Sequence, residues 1–129
     1  MRWLQLVGIF LLTVEEISMK RFVTCTSQFN AHDISALRSS IEDACKEWLL
    51  ANGFSEKRES RYDICVDDMM PSIWMSDYED KLRVEVGMEI GYNSLLDLAT
   101  NYLDPIVTRY DKNAYFDIAE GGLMVAYLN

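Results

Sequence analysis

The side chains that could do chemistry in this chain are overwhelmingly carboxylates. Between Asp63 and Glu89 stand eight of them: Asp63, Asp67, Asp68, Asp77, Glu79, Asp80, Glu85 and Glu89. Only Lys81 and Arg83 oppose them, so eight acids less two bases leave −6 of the chain's net −9 in this stretch. Such a cluster can do one of three things. It can be a solvated surface, it can supply oxygen ligands to a divalent cation, or it can dock a basic protein by imitating the charge of a nucleic acid. The spacing and central glycine of a calcium loop are absent. Carboxylates at alternate positions of a strand stand about 7 Å apart, so two neighbouring acidic strands would make a dense negative grid.

His32 beside Asp33 is the one pairing suited to proton transfer. It lies at the start of a helical pattern, where a lone histidine ordinarily has a surface or capping role. The three cysteines, Cys25, Cys45 and Cys65, include no close pair. His32 has no cysteine two to four residues away, so a zinc site has no support. Buried or half-buried free thiols in a reducing, cytoplasmic setting are the reading that fits. The segment Ser27–Asp33 offers no glycine, and no basic residue except His32, to cradle a phosphate. No catalytic residue, cofactor-binding residue or metal ligand is assigned.

The elements that must position these groups are read from periodicity. Ile34, Leu37, Ile41, Ala44, Cys45, Trp48 and Leu49 recur at spacings of three and four, an amphipathic helix. Asn30 or Asp33 is suited to cap its start, and Asn52-Gly53 to end it. Strict alternation predicts strands at Arg61–Asp67 and Lys81–Ile90, each with a charged wet face. Asp68–Asp80 is expected to be a loop, with Met69-Met70-Pro71-Ser72-Ile73-Trp74-Met75 as an apolar run tucked onto the core or offered to a partner. Asn93 opens a second helix, with Leu95, Ala99, Tyr102, Ile106 and Tyr110 on one side. At Pro105 that helix either kinks, or stops and restarts with Asp104 as cap. Phe22–Ser27 and Tyr115–Ala119 are β-prone. Gly121-Gly122, ahead of Leu123–Leu128, signals a hairpin, with a bulge in one long strand as the alternative.

This order predicts an α+β fold, an antiparallel sheet with two helices on one face, of the ferredoxin-like split βαβ kind (βαββαβ) with a possible C-terminal hairpin. The chain length suits one domain, placed at residues 19–129. Residues 1–18 hold an apolar run, Trp3–Val14, too short to span a bilayer and followed by no small-x-small cleavage site. It reads as an extra helix, a signal or anchor, or a non-native extension.

The open sheet face expected from these strands carries Arg61, Asp63, Asp67, Arg83, Glu85 and Glu89 rather than the stacking aromatics of an RNA-recognition module. Acidic charge also repels phosphate backbones, so direct nucleic-acid binding is disfavoured. The function expected is therefore protein binding. An acidic inhibitor would dock on a basic, nucleic-acid-handling or toxin-like partner through Asp63, Asp67, Asp68, Trp74, Asp77, Glu79, Asp80, Glu85 and Glu89. The alternative is a small enzyme or ligand-binding domain using the His32–Asp33 loop or a carboxylate-bound divalent metal. Self-association into a homodimer is compatible with either.

Overall fold

The computed structural model describes residues 29–56 and 64–129. Readings that fall on residues 1–28 and 57–63, among them the apolar N-terminal helix, the Phe22–Ser27 strand and Asp63, lie outside the described residues.

Helix α1, Ala31–Ala51, follows from its apolar stripe: Leu37, Ile41, Ala44, Cys45, Trp48 and Leu49 are buried. Asn30 caps it, its side chain accepting from the Asp33 N–H at 2.8 Å. Gly53 ends it in the left-handed region at φ 96°, and the Phe54 N–H returns to the Leu49 carbonyl at 3.1 Å.

The chain next forms α2, a single turn at Val66–Met69, where alternation had predicted the end of a strand. Its start is held reciprocally. The Asp68 N–H donates to the Cys65 carbonyl at 3.1 Å, and the Cys65 N–H donates to Asp68 Oδ2 at 3.4 Å. An Asp three residues after the capping position satisfies end groups that a sheet would otherwise satisfy. That local capping overrides the alternation of Ile64 and Val66, and Ile64 is exposed. Among the described residues Cys65 keeps only one parallel bridge, to Ser55.

The expected loop contains a strand. Strand β1, Ser72–Tyr78, pairs antiparallel with β2, Lys81–Gly87, from Ser72–Gly87 at one end to Tyr78–Lys81 at the other. Ile73 and Met75 are buried, as are Leu82, Val84 and Val86 opposite them. The turn between the strands is only Glu79-Asp80, with Glu79 left-handed at φ 56°.

A second helical run then crosses the core side. It comprises α3, Tyr92–Leu98, a wide π turn, Ala99–Leu103, and α4, Asp104–Val107. Gly91, not Asn93, is its N-terminal cap. The helix neither stops nor restarts at Pro105. The turn before it widens, so that the Asp104 N–H reaches the Ala99 carbonyl, which accommodates a residue lacking its own N–H. Asp104 is freed from capping, and its Oδ1 accepts from the Phe116 N–H at 2.8 Å. Trp48 Nε1 donates to Asp97 at 2.8 Å and ties α1 to α3.

Strands β3, Asp117–Ala119, and β4, Leu123–Leu128, form the hairpin signalled by Gly121-Gly122, both at positive φ. The fold is α+β, with a four-stranded antiparallel sheet in the order β1-β2-β4-β3. One sheet face shares a single apolar cluster with α1, α3 and α4. A split βαβ sheet would set a strand from before α1 beside Lys81–Gly87. In the described sheet both flanks of β2 are taken, by β1 and by β4. The reason is local: the two-residue turn delivers β1 to one flank, and Met124, Ala126 and Leu128 continue the buried row of β2 on the other.

Candidate functional site

Among the described residues the acids do not form one grid. The expected pair of acidic strands is replaced by the β1–β2 hairpin, which separates its charges to opposite ends. Six residue steps of strand put those ends about 20 Å apart. At the tip, Asp77, Glu79 and Asp80 are all exposed around the tight turn. At the base, Asp67 and Asp68 on α2 precede β1, and Glu89 follows β2, again all exposed. Asp67, Glu79 and Glu89 form no ion pair among the described residues.

Glu85 belongs to neither end. It lies mid-strand on the sheet face away from the core, and its Oε2 is 2.6 Å from Nη2 of Arg83. Trp74 lies directly opposite it on β1, half-buried, on the same face. The tryptophan is therefore a sheet residue rather than the tip of an apolar loop.

That outer face also differs from the expected one. It carries Trp74 and Tyr78 from β1 and Tyr127 from β4, with the Tyr78 and Tyr127 rings 5.1 Å apart and tilted by 48°. Arg83 stands directly opposite Tyr127 and Lys81 opposite Tyr78. The absence of aromatics was one ground for excluding base stacking, and it does not hold. The acidic balance is the ground that remains. The sequence signal for Tyr127 is its alternation with the buried Ala126 and Leu128, which puts it on the outer face.

A cavity of about 380 Å³ opens at the base of the hairpin, lined by Asp68, Met69, Met70, Ser72, Gly87, Met88, Glu89 and Gly121. Met88 is buried, Met69 partly buried, and Met70 exposed at its rim. The wall is fixed by backbone: the Met88 N–H donates to the Gly122 carbonyl at 3.0 Å. A side chain at Gly122 would bring its Cβ to 2.3 Å from the Met88 carbonyl oxygen. Met69 and Met70 belong to the apolar run of the sequence, but Met88 and Gly87 come from a strand end that sequence alone cannot bring alongside.

The remaining candidates are separate. His32 is exposed in the first turn of α1. Burial, with Glu42 close by, pushes the Cys45 thiol up to about 12, so it stays protonated and unreactive. Cys45 and Cys65 are free and buried. Among the described residues no three His, Cys, Asp or Glu side chains converge as metal ligands, and no helix is long and apolar enough to cross a membrane. No known protein family, characterised protein or solved structure matches the chain.

Proposed function

We propose that this protein acts by binding another protein, as an acidic inhibitor that docks on a basic, nucleic-acid-handling or toxin-like partner. The observation that carries this reading is the exposure of acids near both ends of the β1–β2 hairpin. Asp67 and Glu89 at the base, and Glu79 at the tip, stand without ion pairs among the described residues. Charges held apart on a fixed scaffold raise the encounter rate with a basic surface and set the orientation of docking. The tip adds a second argument. Glu79 occupies a left-handed position that glycine or asparagine would hold at lower conformational cost. A carboxylate there places charge at a position of higher conformational cost. Free thiols at Cys45 and Cys65 accord with a cytoplasmic setting.

The test is capture of partners from the native host with the tagged full chain, in parallel with a variant carrying Asp67→Lys, Glu79→Lys and Glu89→Lys. A basic protein retained by the first and lost by the second, with both chains folded by circular dichroism, supports the reading. Equal retention by both, or retention only of acidic proteins, overturns it.

A further inference from the structure

We infer that the cavity at the base of the hairpin receives a lysine or arginine side chain of the basic partner, an inference that rests on the protein-binding function proposed above. The cavity's lining is of two kinds. Thioethers contribute apolar surface, with Met88 buried and Met69 partly buried, while Ser72 and the backbone at Gly87 and the exposed Gly121 contribute polar surface. Its rim is anionic, with Asp68 from α2 on one side and Glu89 from beyond β2 on the other. A long basic side chain is divided the same way, with an apolar stem that buries well and a charged head that must stay solvated or paired. Flexible methionines adapt to such a stem. Glu89 offers a charge-assisted hydrogen bond to its head, and Asp68, whose Oδ2 already accepts from the Cys65 N–H, adds negative charge across the opening. The volume lies in the usual range for occupied pockets, roughly 300–1,000 Å³.

Gly87 allows the cavity to be closed without altering charge. A Cβ there meets only ordinary contacts, the Ser72 carbonyl oxygen at 3.9 Å and Leu123 Cδ1 at 4.0 Å, so Gly87→Leu can fill the space with the strand intact. The experiment is titration of the full chain, labelled at the methionine methyl groups, with decalysine at low ionic strength. The expected result is movement of the Met69, Met70 and Met88 methyl signals, while those of the buried Met75 and Met124 stay fixed. Gly87→Leu should abolish the Met88 shift and weaken binding by roughly tenfold, and Glu89→Gln should weaken it by a smaller factor. Unchanged affinity in Gly87→Leu, or signals moving only around Asp77–Asp80, overturns the cavity assignment and leaves the basic-partner reading standing. No binding of decalysine at all overturns both. If Gly87→Leu loses its native methyl spectrum, the smaller Gly87→Ala replaces it under the same criteria.

Discussion

The two ends of the β1–β2 hairpin carry similar charge and are built in opposite ways. At the tip the backbone is bent and the side chains are exposed: Glu79 sits at φ 56°, between the exposed Asp77 and Asp80. At the base the backbone is clamped. The Gly122 carbonyl receives the Met88 N–H, and three methionines line a cavity under Asp68 and Glu89. For the function proposed above, the difference would separate attraction from retention. Exposed charge acts at a distance and is screened by salt, whereas apolar surface acts only on contact and does not depend on salt. The two ends lie about 20 Å of strand apart, so each can be altered without the other.

The largest expected effect breaks the base outright. Gly122→Ala puts a methyl group against the Met88 carbonyl and forces alanine to adopt φ +81°. Destabilisation of about 3 kcal/mol is expected from the combined strain, read as a lower urea midpoint. Gly121→Ala shares the left-handed backbone (φ +78°) but meets nothing within 4 Å, so it should cost only about 1 kcal/mol. Equal losses would mean that the close approach to Met88 contributes nothing.

Next in size is a kinetic separation of the two ends against a basic ligand such as decalysine. Reversing Glu79 and Asp80 to lysine at the tip should slow association by roughly tenfold at low salt, and added salt should erase most of the difference. Met70→Ala at the rim of the base should leave association nearly unchanged and speed dissociation a few-fold, about 1 kcal/mol. Stopped-flow traces at two salt concentrations distinguish the cases. Tip variants that change only dissociation would show that the division of labour is absent. A single-stranded oligonucleotide should not bind at physiological salt. Binding that Tyr127→Ala removes would instead assign the Tyr78–Tyr127 face to base stacking.

Two carboxylates away from the hairpin ends make opposite predictions with pH. Asp104 is shifted up, chiefly by burial, and Asp111 is shifted down, chiefly by the Asn129 and Asn113 N–H groups it accepts. A raised carboxyl stabilises the fold below its ordinary range and loses that contribution as pH rises through its folded value. Asp104→Asn, which keeps an acceptor for the Phe116 N–H, should therefore be more stable than the parent chain at neutral pH, with the gap closing in acid. A lowered carboxyl does the reverse. Asp111→Asn should be less stable at neutral pH, and the difference should vanish as pH falls through the folded value below 3.8. Thermal unfolding of both variants across pH checks the signs.

The legible parts of this fold were those whose signal is local and repeated. The α1 stripe, the alternation of Leu82, Val84 and Val86, and the Gly121-Gly122 turn all appear as expected. Strand β1 was hidden because its turn lacks glycine and asparagine, the residues that announce a two-residue hairpin. Its alternation of Ile73 and Met75 around Trp74 was present, but it was masked by the flanking Met69-Met70 and Pro71. The reading of Arg61–Asp67 failed at Val66 because period-two apolarity over a few residues cannot be told from one capped helical turn. The acids were each identified from sequence, but their grouping was not. Whether Asp68 faces Glu89 or Asp77 depends on register, which one missed strand changes completely.

The smallest expected effect concerns the left-handed Glu79. A non-glycine residue at φ 56° pays a backbone penalty, on the order of 1 kcal/mol, that asparagine largely escapes. Glu79 forms no ion pair among the described residues and is exposed, so its replacement forfeits little else. Glu79→Asn should therefore raise stability by about 0.5–1 kcal/mol with no change of fold, measured by urea denaturation. It also removes one negative charge from the tip, so association with decalysine should slow slightly, by less than the double reversal does. A gain in stability with a loss in association rate would show conformational cost exchanged for charge. Asparagine that destabilises the chain would mean that the glutamate side chain holds the turn together, and the tip would then be a structural feature rather than a steering one.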